Sequence, residues 1–122
     1  MLADQELKAF IPTLHPEKAK SFYQDVLGLR LMSEDDYGIE FDVNGTILRI
    51  AFVQQLTPQP FTVLGWNVEN IVDIIQRLNK NGVFCEKYEF MKQDILGIWK
   101  APGGASVAWF KDPDGNVLSL TQ

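Results

Sequence analysis

Two polar residues at matching positions of an internal repeat, Arg49 and Ser119, are the first candidates for chemistry. The segment Asp42–Ile50, DVNGTILRI, returns at Asp112–Leu120 as DPDGNVLSL, so Arg49 and Ser119 occupy the same place in the two copies. A guanidinium can bind a carboxylate or a phosphate through paired hydrogen bonds. A serine hydroxyl offers only a weak neutral ligand oxygen. A repeat of this kind indicates one folding unit used twice.

The other reactive residue types are isolated. The single histidine, His15, precedes a proline at a predicted strand-to-helix corner, where a loop or capping role is favoured over a place at a pocket rim. The single cysteine, Cys85, permits no internal disulfide and is predicted to be a small packing residue rather than a nucleophile. Asp112 and Asp114 suggest a calcium loop, but such a loop needs glycine at its sixth place, where Val117 stands. We therefore predict a structural turn there.

Composition limits the classes of function. The chain has 122 residues, 46% of them hydrophobic, which is enough for one compact domain or for two small halves that share a core. Its net charge of −5 disfavours a nucleic-acid partner, because phosphate binding needs a basic face. The apolar runs are far shorter than a bilayer span, and the N-terminus lacks the pattern of a signal peptide. We expect no membrane partner and a cytoplasmic location.

The first half of the sequence predicts a strand, a helix and three further strands. The helix opens at Pro16, since proline is favoured in a first helical turn, and stops at Gly28. Its apolar face comprises Ala19, Phe22, Tyr23, Val26 and Leu27. The predicted strands are Leu7–Leu14, Leu29–Ser33, Gly38–Val43 and Thr46–Val53. Asn44-Gly45, between the last two strands, is the strongest hairpin signal in the chain.

The second half repeats this order after a connection rich in proline, Leu56–Pro60. A helix with Ile71, Ile74, Ile75 and Leu78 on one face is predicted to close at Asn81-Gly82. The predicted strands are Phe61–Val68, Phe84–Phe90, Leu96–Lys100, Ala105–Lys111 and Val117–Thr121. We therefore predict one domain over 1–122, with module one at about 7–54, a connection at 55–60 and module two at about 61–122.

Two motifs resemble those of a known superfamily. FYQDVLGL at Phe22–Leu29 closes the first helix, and FKDPDGN at Phe110–Asn116 precedes the last strand. With the paired βαβββ order, the chain from about Lys8 to Gln122 resembles the vicinal oxygen chelate superfamily, which includes glyoxalase I, extradiol dioxygenases and bleomycin-resistance proteins. The resemblance implies an α+β fold of two tandem βαβββ modules, which form a curled mixed sheet around a cavity with the helices outside. It also implies a homodimer, with or without exchange of modules.

The resemblance implies where a metal would lie. The superfamily's metal enzymes carry His, Gln or Glu ligands on four strands, at positions that correspond here to Lys8, Arg49, Val63 and Ser119. Family metals such as Zn²⁺, Ni²⁺, Fe²⁺ and Mn²⁺ bind imidazole and carboxylate donors. Protonated lysine and arginine have no acceptor atom, and valine has no donor atom. We therefore predict a cavity without a metal and without a cofactor.

Strand alternation, combined with the resemblance, predicts the cavity lining. If Arg49 and Ser119 face inward, then Leu48, Ile50 and the equivalent leucines of the last strand pack beneath the helices. The predicted ligand-binding residues are Lys8, Phe10, Arg49, Val63, Asn67, Trp99, Trp109 and Ser119. Lys8 and Arg49 indicate either a site for an anionic ligand or rim groups that reach water or pair with a carboxylate such as Glu40.

Three classes of function follow from these residues and the resemblance. The leading hypothesis is a metal-free protein, similar to bleomycin-resistance proteins, that binds a small organic ligand. The alternative is a metal-dependent or metal-free enzyme of the superfamily, such as a glyoxalase-type lyase or isomerase, or a dioxygenase. No catalytic triad, nucleophile elbow or phosphate loop is visible, so the catalytic residues stay unassigned. An accessory domain that acts through a partner surface is the third hypothesis.

Overall fold

The structure, a computed structural model, describes all residues from Met1 to Gln122 and divides into two compact units, Met1–Thr57 and Pro58–Gln122. Each unit contains one four-stranded sheet with parallel and antiparallel pairs, and one helical segment. The predicted α+β class with two tandem modules is confirmed. Neither helical segment has the length and apolar character that crossing a membrane would require.

Unit one begins with strand β1 (Lys8–Thr13) and helix α1 (Pro16–Ser21), which continues into a π-helical turn at Phe22–Val26. Three strands follow, β2 (Arg30–Glu34), β3 (Gly38–Val43) and β4 (Thr46–Phe52). The sheet order is β1-β4-β3-β2, and only the β1–β4 pair is parallel. The predicted elements of this half are therefore confirmed, with ends shifted by one or two residues.

The hairpin between β3 and β4 forms where the sequence predicted it. Asn44 and Gly45 have φ angles of 50° and 91°, so both central residues are left-handed, as a type I′ turn requires. Asp42 supports the turn because its Oδ1 accepts the Gly45 N–H at 3.0 Å. The turn fixes the register in which Glu40 stands opposite Arg49.

The core of unit one joins the helical segment to one face of the sheet. Its fully or nearly fully buried apolar residues are Ile11, Ala19, Phe22, Tyr23, Ile39, Phe41, Leu48 and Ile50. The Tyr23 ring lies 6.3 Å from the Phe41 ring, centroid to centroid, and so links the helical segment to β3. Thus the predicted apolar helix face is buried at its centre, while Val26 and Leu27 are half-buried.

Unit two contains strand β5 (Thr62–Asn67), helix α2 (Ile71–Lys80) and strands β6 (Trp99–Lys100), β7 (Ser106–Lys111) and β8 (Val117–Thr121). The sheet order is β5-β8-β7-β6, with β5 and β8 parallel. The side chain of Asn70 caps α2 by accepting the Asp73 N–H at 3.1 Å. The buried apolar residues are Ile71, Ile75, Leu78, Ala108, Phe110, Val117, Leu118 and Leu120.

One predicted strand is wrong. The range Phe84–Phe90 forms no strand, and the strand predicted at Leu96–Lys100 is reduced to Trp99–Lys100. The Glu86 N–H does bond to the Trp109 carbonyl, at 2.7 Å, but the pairing goes no further. The side chain of Gln93 replaces it: Oε1 accepts the Tyr88 N–H at 2.7 Å, and Nε2 donates to the Glu86 carbonyl at 2.9 Å. A side chain therefore satisfies backbone groups that a neighbouring strand would otherwise have paired.

Candidate functional site

The first group of candidate residues lies on the sheet face of unit one that carries no buried core. Along β4, Leu48 and Ile50 are buried, whereas Arg49 between them is on the other face. Arg49 stands opposite Phe10 of β1 on one side and Glu40 of β3 on the other. The predicted alternation along β4 is confirmed, and three strands together place Phe10, Arg49 and Glu40 in one row on this face.

Ion pairs join Arg49 and Glu40 of this row to two neighbouring charged side chains. Glu40 Oε2 lies 2.8 Å from Lys8 Nζ and 3.0 Å from Arg49 Nη1. Arg49 Nη2 also lies 3.2 Å from Asp35 Oδ1. Two cations thus face two carboxylates, and the charges of the four side chains cancel. We call these four residues, Asp35, Lys8, Glu40 and Arg49, the ionic network.

The network holds its carboxylates in the ionised form. The hydrogen bond from Lys8, followed by that from Arg49, lowers the pKa of Glu40 below its ordinary value. The backbone N–H of Tyr37, with help from Arg49, lowers the pKa of Asp35. The Lys8 ammonium is also 5.8 Å from the centroid of the Phe10 ring, within cation–π range. Phe10 itself is 60% exposed.

A second row lies on the corresponding face of unit two. Ser119 of β8 stands opposite Gly65 on β5 and Trp109 on β7. A side chain at position 65 would collide with Ser119 Oγ, so the glycine makes this close approach possible. The next row contains Asn67, opposite Thr121, and Trp99, opposite Val107.

The aromatic residues of unit two form a cluster around Trp109. The Trp99 and Trp109 rings are 6.1 Å apart, and Tyr88 meets Trp109 edge to face at 5.9 Å and 76°. Phe90 lies 5.6 Å from Tyr88. Burial, the main cause, raises the pKa of Tyr88 above its ordinary value.

A cavity opens beside this cluster. Its volume is about 500 Å³, and its main lining residues are Phe61, Thr62, Tyr88, Phe90, Met91 and Trp109. Volumes of about 300–1,000 Å³ with a mostly apolar lining are typical of small-molecule sites. We call this cavity the aromatic pocket. Trp109 is the one predicted site residue that lines it.

The predicted site residues thus fall into separate groups. Lys8, Phe10 and Arg49 come together in unit one, and Trp99, Trp109 and Ser119 are neighbours in unit two. Asn67 is exposed on β5. Val63 is also exposed, at 42%, and lies where β5 breaks register, between the Thr62–Val117 and Leu64–Leu118 pairs.

The bulge changes the equivalence between the two modules. In unit one Lys8 pairs with Ile47 and the register runs without interruption to Thr13. In unit two the residue opposite Val117, which matches Ile47 in the repeat, is Thr62 rather than Val63. Counting along the sequence could not find a bulge, because it leaves the composition of the strand unchanged.

Sequence reasoning also missed most of the aromatic pocket. The sequence predicted a strand that includes Tyr88 and Phe90, and it predicted no element at Met91. All three residues line the pocket, in a segment whose path is held by the hydrogen bond from the Tyr88 N–H to Gln93. The close spacing of aromatic residues at Tyr88 and Phe90 was the available signal. Asp35, which bonds to Arg49, was not among the predicted site residues.

Comparison with known proteins identifies the family. The family model described as Glyoxalase/Bleomycin resistance protein/Dioxygenase superfamily matches residues 8–120. The chain belongs to this superfamily. The comparison with curated proteins gave no match.

Solved structures of this superfamily share the fold. A glyoxalase family protein from Enterococcus faecalis is 21% identical, with a TM-score of 0.72 and 100% of both chains covered. A superfamily member from Sphaerobacter thermophilus is also 21% identical, with a TM-score of 0.76 and coverage of 99% and 98%. Lactoylglutathione lyase from Agrobacterium tumefaciens is 14% identical, with a TM-score of 0.76 and coverage of 97% and 92%. At these identities the likeness shows the fold alone.

The four residues predicted at the superfamily's metal positions do not fit a metal. Lys8 and Arg49 are cations bound to carboxylates, Val63 has only hydrocarbon, and Ser119 offers one hydroxyl. No group of three or more His, Cys, Asp or Glu side chains in the chain is arranged to hold a metal ion. None of the four predicted positions therefore carries an imidazole or carboxylate donor.

Proposed function

We propose that this superfamily member binds a small, largely apolar aromatic molecule in the aromatic pocket, without a metal. The observation that carries the proposal is the pocket itself, about 500 Å³ in volume and lined by Trp109, Tyr88 and Phe90. Aromatic rings bury a large area and favour offset or edge-to-face contacts with other rings, so this lining suits a planar ligand. The Tyr88 hydroxyl and the Thr62 hydroxyl supply the few polar groups that would orient it.

The metal-free state rests on side-chain chemistry. A metal at the superfamily's position would have to displace Lys8 from Glu40 and would still find Arg49 and Val63 in place of donors. The loss of those ion pairs would oppose metal binding. We therefore favour a binding protein over a metal-dependent lyase, isomerase or dioxygenase.

The ionic network bears on the charge of the ligand. An anionic ligand at Lys8 and Arg49 would have to displace Glu40 or Asp35, which already satisfy both cations. The predicted anionic ligand therefore finds no free cation in this network. For the aromatic pocket we propose a neutral ligand.

A titration with 2-naphthol, a neutral bicyclic aromatic, tests the proposal by NMR of the ¹⁵N-labelled protein. The matched variants are Phe90→Ala, which alters the pocket, and Phe84→Ala, which changes a similarly exposed phenylalanine outside its lining. We expect Phe90→Ala to weaken binding about tenfold, from the loss of an aromatic contact, and Phe84→Ala to leave it unchanged. Equal effects of the two variants, or no saturable binding by the wild-type protein, would contradict the proposal.

A separate experiment tests whether ligand binding requires a metal. We expect the 2-naphthol affinity to be the same before and after dialysis against EDTA. The reason is that the chain has no group of three or more His, Cys, Asp or Glu side chains that could hold a metal ion. Elemental analysis of protein purified without chelator should find no stoichiometric transition metal. A stoichiometric metal whose removal abolishes binding would favour the enzyme alternative.

The assembly and location of the protein are also proposals. Membership of the superfamily supports a homodimer, and light scattering tests it. The cytoplasmic location stays a prediction, which cell fractionation would test. The organisation as one domain, with two modules joined by a connection at 55–60, also stays a prediction, which separate expression of the two units would test.

A further inference from the structure

A second cavity in unit two lies apart from the lining of the aromatic pocket. Its volume is about 820 Å³, and it is bounded by the start of α2, the segment 92–98, Lys100 of β6 and Ser106 of β7. The residues used below are Ile71, Val72, Lys92, Ile98, Lys100 and Ser106. We call this cavity the lysine groove. It shares no lining residue with the aromatic pocket.

The walls of the lysine groove are held by specific hydrogen bonds. Gln93 Nε2 donates to the carbonyls of Glu86 and Gly97, at 2.9 and 2.8 Å. On the opposite wall, Gln122 Oε1 accepts the Ile71 N–H at 2.8 Å and so fixes the start of α2. A groove held in this way needs little reorganisation to receive a ligand.

The lysine groove combines an apolar wall with unpaired cations. Ile71, Val72 and Ile98 supply hydrocarbon surface. Lys100 Nζ donates to Ser106 Oγ at 2.8 Å, and Ser106 is only 9% exposed, so a buried hydroxyl holds the ammonium in place. No carboxylate oxygen lies within 4.0 Å of the ammonium nitrogen of Lys92 or Lys100, so neither lysine is in an ion pair.

Lys92 and Lys100 differ from the cations of the chain that already have a carboxylate partner. Lys8 is paired with Glu40, and Lys111 is paired with Glu86 at 3.1 Å. The one acidic side chain in the groove wall, Asp94, uses its Oδ1 to accept the N–H groups of Leu96 and Ile98, both at 2.9 Å. Its Oδ1 is thus held by the backbone, while its negative charge remains and would repel an anion bound beside it, which favours a position on Lys100 and Lys92 instead.

We propose that the lysine groove binds a small organic carboxylate, with the carboxylate on Lys100 and Lys92 and the apolar body against Ile71, Val72 and Ile98. The two lysines set the charge of the ligand, and the three aliphatic side chains set the character of its tail. This site is separate from the one in the proposed function.

A hexanoate titration of the ¹⁵N-labelled protein tests the site. We expect saturable shifts at the amides of Val72, Ile98 and Ser106, with hexan-1-ol much weaker because it lacks the charge. Lys100→Gln should weaken hexanoate binding about tenfold, the usual effect of losing a charge-assisted hydrogen bond. Lys80→Gln, which removes an equal charge at the other end of α2, should leave it unchanged.

Three outcomes would overturn the proposal. Hexanoate could fail to shift the groove amides, Lys80→Gln and Lys100→Gln could weaken binding equally, or inorganic phosphate could bind as well as hexanoate and show that the tail contributes nothing. The 2-naphthol titration of Lys100→Gln separates this site from the aromatic pocket. We expect 2-naphthol binding to persist in Lys100→Gln, and hexanoate binding to persist in Phe90→Ala.

Discussion

Glu40 and Arg49 stand directly opposite each other on β3 and β4, and their side chains are joined by a 3.0 Å hydrogen bond. The same carboxylate oxygen of Glu40 also lies 2.8 Å from Lys8 Nζ. Glu40 is therefore the shared counter-ion of Lys8 and Arg49, the two cations that the sequence predicted at metal positions of the superfamily. The arrangement explains how a face with a lysine and an arginine can be stable without a bound anion.

Replacement of Glu40 by glutamine should expose this role. Glu40→Gln leaves Lys8 without its carboxylate and Arg49 with only Asp35, so we expect the free energy of unfolding to fall by about 1 kcal/mol. Urea denaturation monitored by tryptophan fluorescence measures it. Glu34→Gln is the control, because Glu34 is itself exposed and its one ion pair is with Lys20. An equal effect of the two substitutions would contradict a special role for Glu40.

The pH dependence of the same variant has a definite sign. The pKa of Glu40 is lowered in the folded state by Lys8 and Arg49, so its stabilising effect is complete above its ordinary pKa. That effect is lost as the pH falls through the lowered folded-state pKa. We expect the stability difference between wild type and Glu40→Gln to be full at pH 6 and to shrink below about pH 4, near the ordinary glutamate pKa. A difference that grew on acidification would contradict this assignment.

The two copies of the repeat should differ in their tolerance of substitution. Asp112 is 6% exposed, and its Oδ1 accepts the N–H groups of Asp114 and Asn116, each at 2.9 Å. Asp42, its counterpart, accepts one exposed N–H from Gly45. We expect Asp112→Ala to cost about 2 kcal/mol of unfolding free energy and Asp42→Ala less than about 1 kcal/mol. Thermal denaturation of both variants checks the order, and the reverse order would refute it.

Local sequence patterns predicted most of the helices, strands and turns, because a few residues in each determine its conformation or its buried face. Asn44-Gly45 specifies its hairpin through the left-handed conformation that both residues adopt, and Leu48 and Ile50 bury the face that their alternation predicts. The strand predicted around Tyr88 was wrong because the side chain of Gln93, five residues further along the chain, takes backbone hydrogen bonds of this segment. Alternation of apolar and polar residues does not reveal hydrogen bonds from a side chain to the backbone, even over this short distance in the sequence.

The candidate site was also predicted only in part. Alternation placed Arg49 on the face without the core, and the reading in which a carboxylate such as Glu40 pairs with it matches the observed contacts. Asp35 was missed because its contact with Arg49 joins a loop to a strand that is distant in the sequence. The bulge at Val63 and the two cavities depend on register and loop path, which composition does not specify.

Two glycines of the sheets should respond differently to alanine. A Cβ on Gly38 would lie 2.8 Å from the Ile50 carbonyl oxygen, which is backbone and cannot rotate away. A Cβ on Gly65 would meet Ser119 Oγ, which can rotate. We expect Gly38→Ala to cost about 2 kcal/mol and Gly65→Ala about 1 kcal/mol or less.

A double-mutant cycle checks the second contact. In a Ser119→Ala background the colliding oxygen is gone, so Gly65→Ala should become nearly neutral, while Gly38→Ala should cost the same as in the wild type. Urea denaturation gives all the required values. Additive effects of Gly65→Ala and Ser119→Ala would show that the two side chains do not compete for this space.

Cys85 should react slowly with thiol reagents although it is only partly buried. Burial, followed by the negative charges of Asp94 and Glu86, raises the pKa of its thiol to about 11. At pH 8 about one thiol in a thousand would then be ionised, and the thiolate is the reactive form. We expect alkylation by iodoacetamide to be about 100-fold slower in the native protein than in urea and to accelerate about tenfold per pH unit up to pH 10. Mass spectrometry measures both rates, with the urea-denatured chain as the control for intrinsic reactivity. Native labelling as fast as in urea, or a plateau near pH 9, would indicate an ordinary exposed thiol instead.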